Sequence, residues 1–474
     1  MRIAIIGAGL AGLSAAYEMH KISPQAHIDV FEAADRIGGK LLSVPFNDGP
    51  TDMGAEAFLA RREDAVEFFT ELGLAQSLVE PSGKSPLVFT GDRLHSLPTG
   101  GVMGIPASSE QVAGVVSAET AARIDAEGSQ DSIEWHPGQD MSLGQLVRER
   151  YGDEIADRIV SALLGGVYSC AADDLGVRAC VPELAAAFDR LQEAGEKVTL
   201  SAAVKACIDK RAAASGESRP GPVFKTFRGG YAELYEALAE QCGADIHIDS
   251  FISGIKPAKE GRFSVVGGGE AAQEPYDRVL VATPAPTSAR LLPAVAPAVA
   301  AALKPIALAS SVVVGLRFDA ATDPQGNSLP DASGVLVAAD QPGVCAKAFT
   351  FSSQKWPHLA DRLSGGALVR ASFGRFGADA IVRADEDELV DQALDDLREI
   401  TGFDGRAAGV GEIYTQRWFG GLPRYGAGHL ETVEEVRSAL GEVRGIDATG
   451  AWAGGVGVPA VIADARAAAR RLLG

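Results

Sequence analysis

The chain has 474 residues, 46% hydrophobic and 22% charged, a globular composition too long for one ordinary core, so two or three domains are expected. Acidic residues outnumber basic ones, 63 to 43, and the net charge of −20 argues against nucleic acid or anionic lipid as partner. Five scattered cysteines without a CxxC pair suit a reduced, cytoplasmic setting, and no apolar run reaches the ~20 residues of a membrane-spanning helix, leaving only peripheral membrane contact open.

The first element is a short apolar strand, Ile3 to Ile6, running into Gly7-Ala8-Gly9-Leu10-Ala11-Gly12. A helix follows, then a second apolar strand from Ile28 that ends at Glu32. This is the order of a dinucleotide-binding βαβ unit. Gly7 makes the tight turn, Gly9 lets the backbone approach a pyrophosphate, and Gly12 packs helix against sheet. Glu32 stands 20 residues past Gly12 (32 − 12), where a carboxylate takes the ribose hydroxyls.

Further along, Ser142 is the expected cap of a helix over Leu143 to Val147, and Asp153 to Leu164 reads as the next. Arg211 to Pro222 is rich in Ala, Ser, Gly and Pro and reads as a mobile loop. Phe224 to Leu238 reads as strand, Gly229-Gly230 break and helix. Strands are then expected at Ile246 to Ile248, Ile252 to Ile255, Arg262 to Val266 and Arg278 to Ala282. A block of strands (Ser311 to Phe318, Gly334 to Ala338, Ala346 to Phe351, Ala367 to Phe373) precedes an acidic helix near Glu386 to Ile400. Glycine-rich Gly445 to Gly457 leads into a closing helix, Ala460 to Leu473.

The fold class is therefore α/β, a Rossmann-like nucleotide-binding domain assembled from discontinuous segments, 1–66, 225–285 and 418–474. A mixed-sheet substrate-binding domain would use 67–104 and 286–417, and a helical domain 105–224. No Cys, His and carboxylate cluster has metal-ligand spacing, so no metal is expected.

Immediately after Glu32, the run Ala33-Ala34-Asp35-Arg36-Ile37-Gly38-Gly39-Lys40 is similar to the second fingerprint of FAD-binding oxidoreductases of the glutathione-reductase and amine-oxidase type. FAD is thus the expected cofactor. More specific segments follow: Asp52 to Arg62, Leu97-Pro98, Met103 to Pro106, Leu163 to Tyr168 with Ala172 to Leu175, Phe349 to His358, Arg417-Trp418, Leu422 to Tyr425, and Gly454 to Ala460. Together they resemble the porphyrinogen oxidases of the flavin amine oxidase superfamily, in their bacterial Gram-positive form, from one end of the chain to the other.

The resemblance implies an oxygen-dependent, six-electron oxidation of coproporphyrinogen III to coproporphyrin III in heme biosynthesis. Each of three rounds would move a hydride from a meso carbon to flavin N5 and release H2O2. Protoporphyrinogen IX is the alternative substrate and flavin amine oxidase chemistry the more distant one, with no lysine on the strand Ser310 to Leu316 to support it. Cofactor contacts are then expected at Gly7, Ala8, Gly9, Leu10, Ala11, Gly12, Glu32, Ala33, Lys40, Gly54, Ala55, Glu56, Ala57, the Ile252 backbone, Trp418, Val456, Gly457 and Val458. Arg61 and Arg62 would grip substrate propionates, or form a solvated face. Tyr168 would line the pocket, or pack in the core. No side chain is assigned as catalytic, because flavin N5 is the redox centre. Val461 stands where relatives commonly have cysteine, and Ala463-Asp464 where Ser-Gly or Gln-Gly is usual.

Overall fold

A computed structural model describes residues 1–215 and 221–474. They form two compact units: Met1–Glu80 with Pro222–Ala307 and Glu431–Gly474, and Pro81–Gly221 with Leu308–Leu430.

The first unit is built on a five-stranded parallel sheet in the order Asp245–His247, His27–Phe31, Arg2–Ile6, Arg278–Val281, Ile446–Ala448. A parallel sheet needs cover on both faces, so its strands are apolar throughout. Side chains alternate between the faces. Ile3 and Ile5 point to a core shared with the helices Leu10–Ile22, Ala232–Gln241 and Val458–Leu473. Ala4 and Ile6 point to the other, which contains Ile255, Val265, Leu292 and Val299. Glu18, nearly buried on the first helix, accepts from Arg466 and Arg470 of the last helix at 2.7 and 2.6 Å. Residues separated by most of the chain are thus tied together by charge as well as packing.

The second unit holds a mixed seven-stranded sheet in the order Val410–Pro423, Leu308–Phe318, Ala367–Phe373, Ala348–Thr350, Gly334–Val337, Leu87–Thr90, Arg93–Ser96. Only Gly334–Val337 with Leu87–Thr90 is a parallel pair. The helix Glu386–Thr401 packs Leu389, Leu394 and Leu397 against Val312, Val314 and Val369. The helices Leu143–Tyr151, Ser161–Tyr168, Pro182–Glu193 and Leu200–Ser215 belong to the same unit. Ser142 caps the first of these, its Oγ accepting from the Gln145 N–H at 3.3 Å.

Most expected elements stand within a few residues of their predicted bounds, but four readings need adjustment. Residues 211–215 close the helix Leu200–Ser215 rather than open a loop; 216–220 of that expected loop lie outside the described residues. Residues 67–80 lie in the first unit because the helix Glu63–Glu71 buries Phe68 and Phe69 in its core. Residues 286–307 join it because Leu291, Leu292 and Val299 cover the parallel sheet. Residues 418–430 lie in the second unit, since Trp418 continues the long strand Val410–Pro423.

Glu127 organises the helical part of the second unit. It is fully buried; Oε1 accepts from Arg150 Nε (2.7 Å) and the Leu200 N–H (2.8 Å), and Oε2 from the Ser201 N–H (3.0 Å) and Oγ (2.5 Å). Burial opposes the charge, but the donors from Ser201, Leu200 and Arg150 prevail and hold the carboxyl below its ordinary range. Glu127→Gln is expected to cost about 3 kcal/mol at neutral pH by leaving Arg150 buried and uncompensated. A depressed folded-state value means this stability is present above the ordinary glutamate range and is lost as pH falls through the folded value. Denaturation midpoints of the two proteins should therefore converge on acidification below about pH 4.

Candidate functional site

The glycines of the first loop are dictated by distance. Gly7 has φ +106°, and a Cβ there would lie 2.7 Å from the Ala282 carbonyl oxygen. A Cβ on Gly12 would fall 1.8 Å from the Gly7 carbonyl oxygen, so no other residue fits. Gly9 is extended and meets the second glycine turn: a Cβ on Gly39 would sit 2.9 Å from Gly9 Cα. The Gly38 N–H donates to the Ala8 carbonyl at 2.9 Å. The helix Leu10–Ile22 starts at Gly9 with no capping side chain, although Leu10, Ala11 and Gly12 are buried. Its first-turn N–H groups are therefore presented to an anion.

Glu32 is fixed beside this loop. Oε2 accepts from the Ala8 N–H at 2.8 Å and Oε1 from the Ala34 N–H at 3.0 Å, leaving each oxygen a further lone pair for a hydroxyl. Arg36 serves the turn itself, donating to the carbonyls of Ile37 (3.0 Å), Leu41 (3.1 Å) and Gly39 (2.7 Å). Ala33 and Lys40 are exposed. Gly54, Ala55, Glu56 and Ala57 form a partly exposed connection, with the Ala55 N–H at 3.4 Å from the Lys40 carbonyl. Ile252 is buried and opens the strand Ile252–Pro257. Val456, Gly457 and Val458 lead into the helix Val458–Leu473, again with a glycine at the cap and no capping side chain. Two uncapped helix starts, an anchored carboxylate and the steric demand for glycine suit a dinucleotide with a pyrophosphate and a ribose diol.

The arginine doublet divides. Arg62 forms a two-pronged pair with Asp64, Nε to Oδ1 at 2.8 Å and Nη2 to Oδ2 at 2.7 Å, which holds the Asp64 carboxyl below its usual range. Arg61 is exposed and makes no ion pair among the described residues. Of the two, Arg61 is the cation with its donors available.

In the second unit, Tyr168 is nearly buried at the end of its helix, 5.7 Å from the Tyr425 ring, and burial raises its phenol. His429 stacks on Tyr425 at 3.9 Å, an arrangement that the two residues' sequence positions do not reveal. Trp418 is almost buried, opposite Ser311 on the neighbouring strand. Sequence reasoning passed over Lys347 and Arg375. The one available signal was a lysine inside the apolar run Val344 to Phe351.

Strand pairing also gathers His27, Asp29 and Asp245 within reach of a common point. Asp29 already accepts from Arg2 Nη2 (3.2 Å) and the Tyr276 hydroxyl (3.0 Å) on Oδ2 and is bonded to His247 Nε2 (2.9 Å) through Oδ1. Its oxygens are committed to a hydrogen-bond network with a guanidinium in it, which opposes a cation.

Gly12→Ala is expected to lower stability by about 3 kcal/mol, since its methyl group overlaps the Gly7 carbonyl. A thermal melt and the visible flavin absorbance per protein should both fall, whereas Gly441→Ala, a helical position where a Cβ meets nothing within 4 Å, should keep its flavin.

The model of the flavin containing amine oxidoreductase family matches residues 10–473. The coproporphyrinogen III oxidase of Mycobacterium tuberculosis (strain H37Rv) is 37% identical over 463 residues, covering 97% of this chain and 95% of that protein. The Bacillus subtilis protein of the same name is 27% identical, covering 98% and 96%. A solved structure from Exiguobacterium sp. 255-15, carrying a provisional protoporphyrinogen oxidase name, superposes with TM-score 0.83 at 27% identity, covering 99% of this chain and 98% of that one. No helix among the described residues is long and apolar enough to cross a membrane. The chain is an oxidoreductase whose cofactor is FAD. It belongs to the flavin containing amine oxidoreductase family, in the branch of the mycobacterial and Bacillus coproporphyrinogen III oxidases.

Proposed function

We propose that the chain oxidises coproporphyrinogen III to coproporphyrin III with oxygen as acceptor, one porphyrinogen and three O2 giving one porphyrin and three H2O2. The observation that carries this reading is the 37% identity to a protein of that name along nearly the whole chain. When bound, FAD supplies the two-electron acceptor at N5 for each of the three rounds. In this reading the first-turn N–H groups of Leu10, Ala11 and Gly12, with Gly7, Ala8 and Gly9, hold its pyrophosphate, and Glu32 takes the ribose hydroxyls. Ala33, Lys40, the Gly54 to Ala57 connection, the Ile252 backbone, Trp418 and Val456 to Val458 complete the cofactor contacts.

The substrate is a macrocycle with four propionates, so cations with free donors matter for its orientation. Arg61 fits that need; Arg62, engaged by Asp64, supports it less. Tyr168 would add an apolar wall. No side chain is assigned as a base, and the pyrrole protons leave to solvent. Protoporphyrinogen IX is the second reading, favoured by the name of the Exiguobacterium structure.

Initial rates on the two porphyrinogens, followed by porphyrin fluorescence and peroxide, are the direct test. Coproporphyrinogen III should be preferred in kcat/KM; a preference for protoporphyrinogen IX overturns the substrate assignment. Arg61→Ala should raise KM for coproporphyrinogen roughly tenfold with little change in kcat. Arg62→Ala should raise it less. Glu32→Gln should lose FAD on dilution and desalting, because an amide cannot accept at both oxygens.

A further inference from the structure

Two inward-facing cations of the second unit meet no carboxylate among the described residues. Lys347 lies between the strands Gly334–Val337 and Ala367–Phe373, its N–H donating to Ser372 (2.8 Å) and its carbonyl accepting from Val337 (2.9 Å). Its side chain runs inward until the residue is only 4% exposed. Nζ donates to Ser169 Oγ at 2.6 Å and to the Gly374 carbonyl at 2.8 Å, both neutral acceptors. Arg375 is next in the chain after Gly374. Its Nη2 donates to the Val337 carbonyl at 3.3 Å, and its Nε is buried without a partner. Neither cation makes an ion pair among the described residues.

The surroundings are stiff. Gly374 (φ +85°) and Ser169 (φ +52°) both take left-handed conformations, and the Phe376 N–H donates to the Ser169 carbonyl at 2.7 Å. A Cβ on Gly165 would stand 3.5 Å from Arg375 Nε, an ordinary contact, so this helix runs alongside the guanidinium. Burial, and then the Arg375 charge, push the Lys347 ammonium down to about 7, with Cys170 opposing. Burial also lowers Arg375. Cys170 itself is held neutral, pushed up to about 12 by burial and by Asp174. Asp174 spends Oδ2 on the Ala171 N–H and bonds neither cation. An unanswered buried charge is costly, and such a cost is retained where a ligand removes it.

We propose that Arg375, backed by the Lys347 charge, is a carboxylate-binding subsite, in which the guanidinium edge not used by Val337 receives one propionate of the porphyrinogen. The identity of the carboxylate rests on the porphyrinogen reading; the anion subsite does not.

The test uses the full-length, FAD-loaded protein with Arg375→Gln and Lys347→Met. The probes are coproporphyrin III, its uncharged tetramethyl ester, and sodium acetate. Each variant should bind coproporphyrin III about tenfold more weakly and the ester unchanged. Thermal midpoints should stay level or rise, because an uncompensated charge has been removed. For Lys347→Met the gain should be largest below pH 7. Above it the folded lysine is neutral while the unfolded chain still binds the proton, so wild-type stability climbs and the gap closes toward the ordinary lysine range. The groups facing this amine are Arg375, Cys170, Ser169 and the Gly374 carbonyl. Arg375→Lys keeps a charge and should retain most of the affinity, also serving where Arg375→Gln fails to fold.

Equal losses on acid and ester, or no loss on coproporphyrin III and no acetate effect, overturn the subsite. Acetate that raises the wild-type midpoint but not that of Arg375→Gln, with coproporphyrin affinity unchanged, supports a subsite for a small free carboxylate and removes the propionate. A wild type that neither binds coproporphyrin III nor oxidises its porphyrinogen ends the functional reading, and acetate alone then decides the subsite.

Discussion

Everything in the first unit follows from how closely the backbone closes on itself at Gly7, Gly12 and Ala282. A Cβ at Gly12 would overlap the Gly7 carbonyl oxygen, and one at Gly7 would overlap that of Ala282. The helix start, the first strand and the strand Arg278–Val281 are thereby drawn together around a point with no side chain in it. That places the uncapped end of the helix at the carboxyl edge of the sheet, where open parallel sheets bind ligands. Glu32, bonded to the Ala8 N–H, fixes the second strand to the same loop. Position and chemistry thus share one steric cause.

The distribution of charge is more telling than its sum. Nearly buried acids each draw arginines, two of them on Glu18 and Arg437 with Arg471 on Asp447, while Arg148 is shared among Asp153, Asp157 and Asp173. Lys347 and Arg375 stand out because they turn inward and make no ion pair among the described residues, whereas Arg61 makes none while exposed. In the doublet Arg62 is spent on Asp64, so adjacent basic residues do not by themselves make an anion site.

Local patterns were legible from the letters alone. The parallel strands read as apolar runs, and the Gly7 to Gly12 spacing with Glu32 required the βαβ unit. Three kinds of feature were not. The long strand Val410–Pro423 is mostly exposed or half-exposed, so it has no clean alternation to announce it. The separate fates of Arg61 and Arg62 depend on Asp64, whose side chain competes for one neighbour and not the other. Lys347 sits in a run of small apolar residues, and only the pairing of distant strands reveals that its ammonium ends among neutral acceptors. Unit boundaries were hardest, because they depend on which sheet an apolar helix covers, and hydrophobicity alone does not name the sheet.

The order of the parallel sheet has a consequence for the birth of the chain. Ile3 pairs with Arg278 and Glu18 waits for Arg466, a separation of 448 residues. At ribosomal speeds of about 5–20 residues per second, roughly 20 to 90 s pass before the first helix meets its last partner. Throughout that interval Ile3, Ile5 and Leu13 have part of their core missing, and all of the second unit is made in two pieces between. Until Arg278–Val281 has been made, the strand Arg2–Ile6 keeps an open edge that the finished sheet closes.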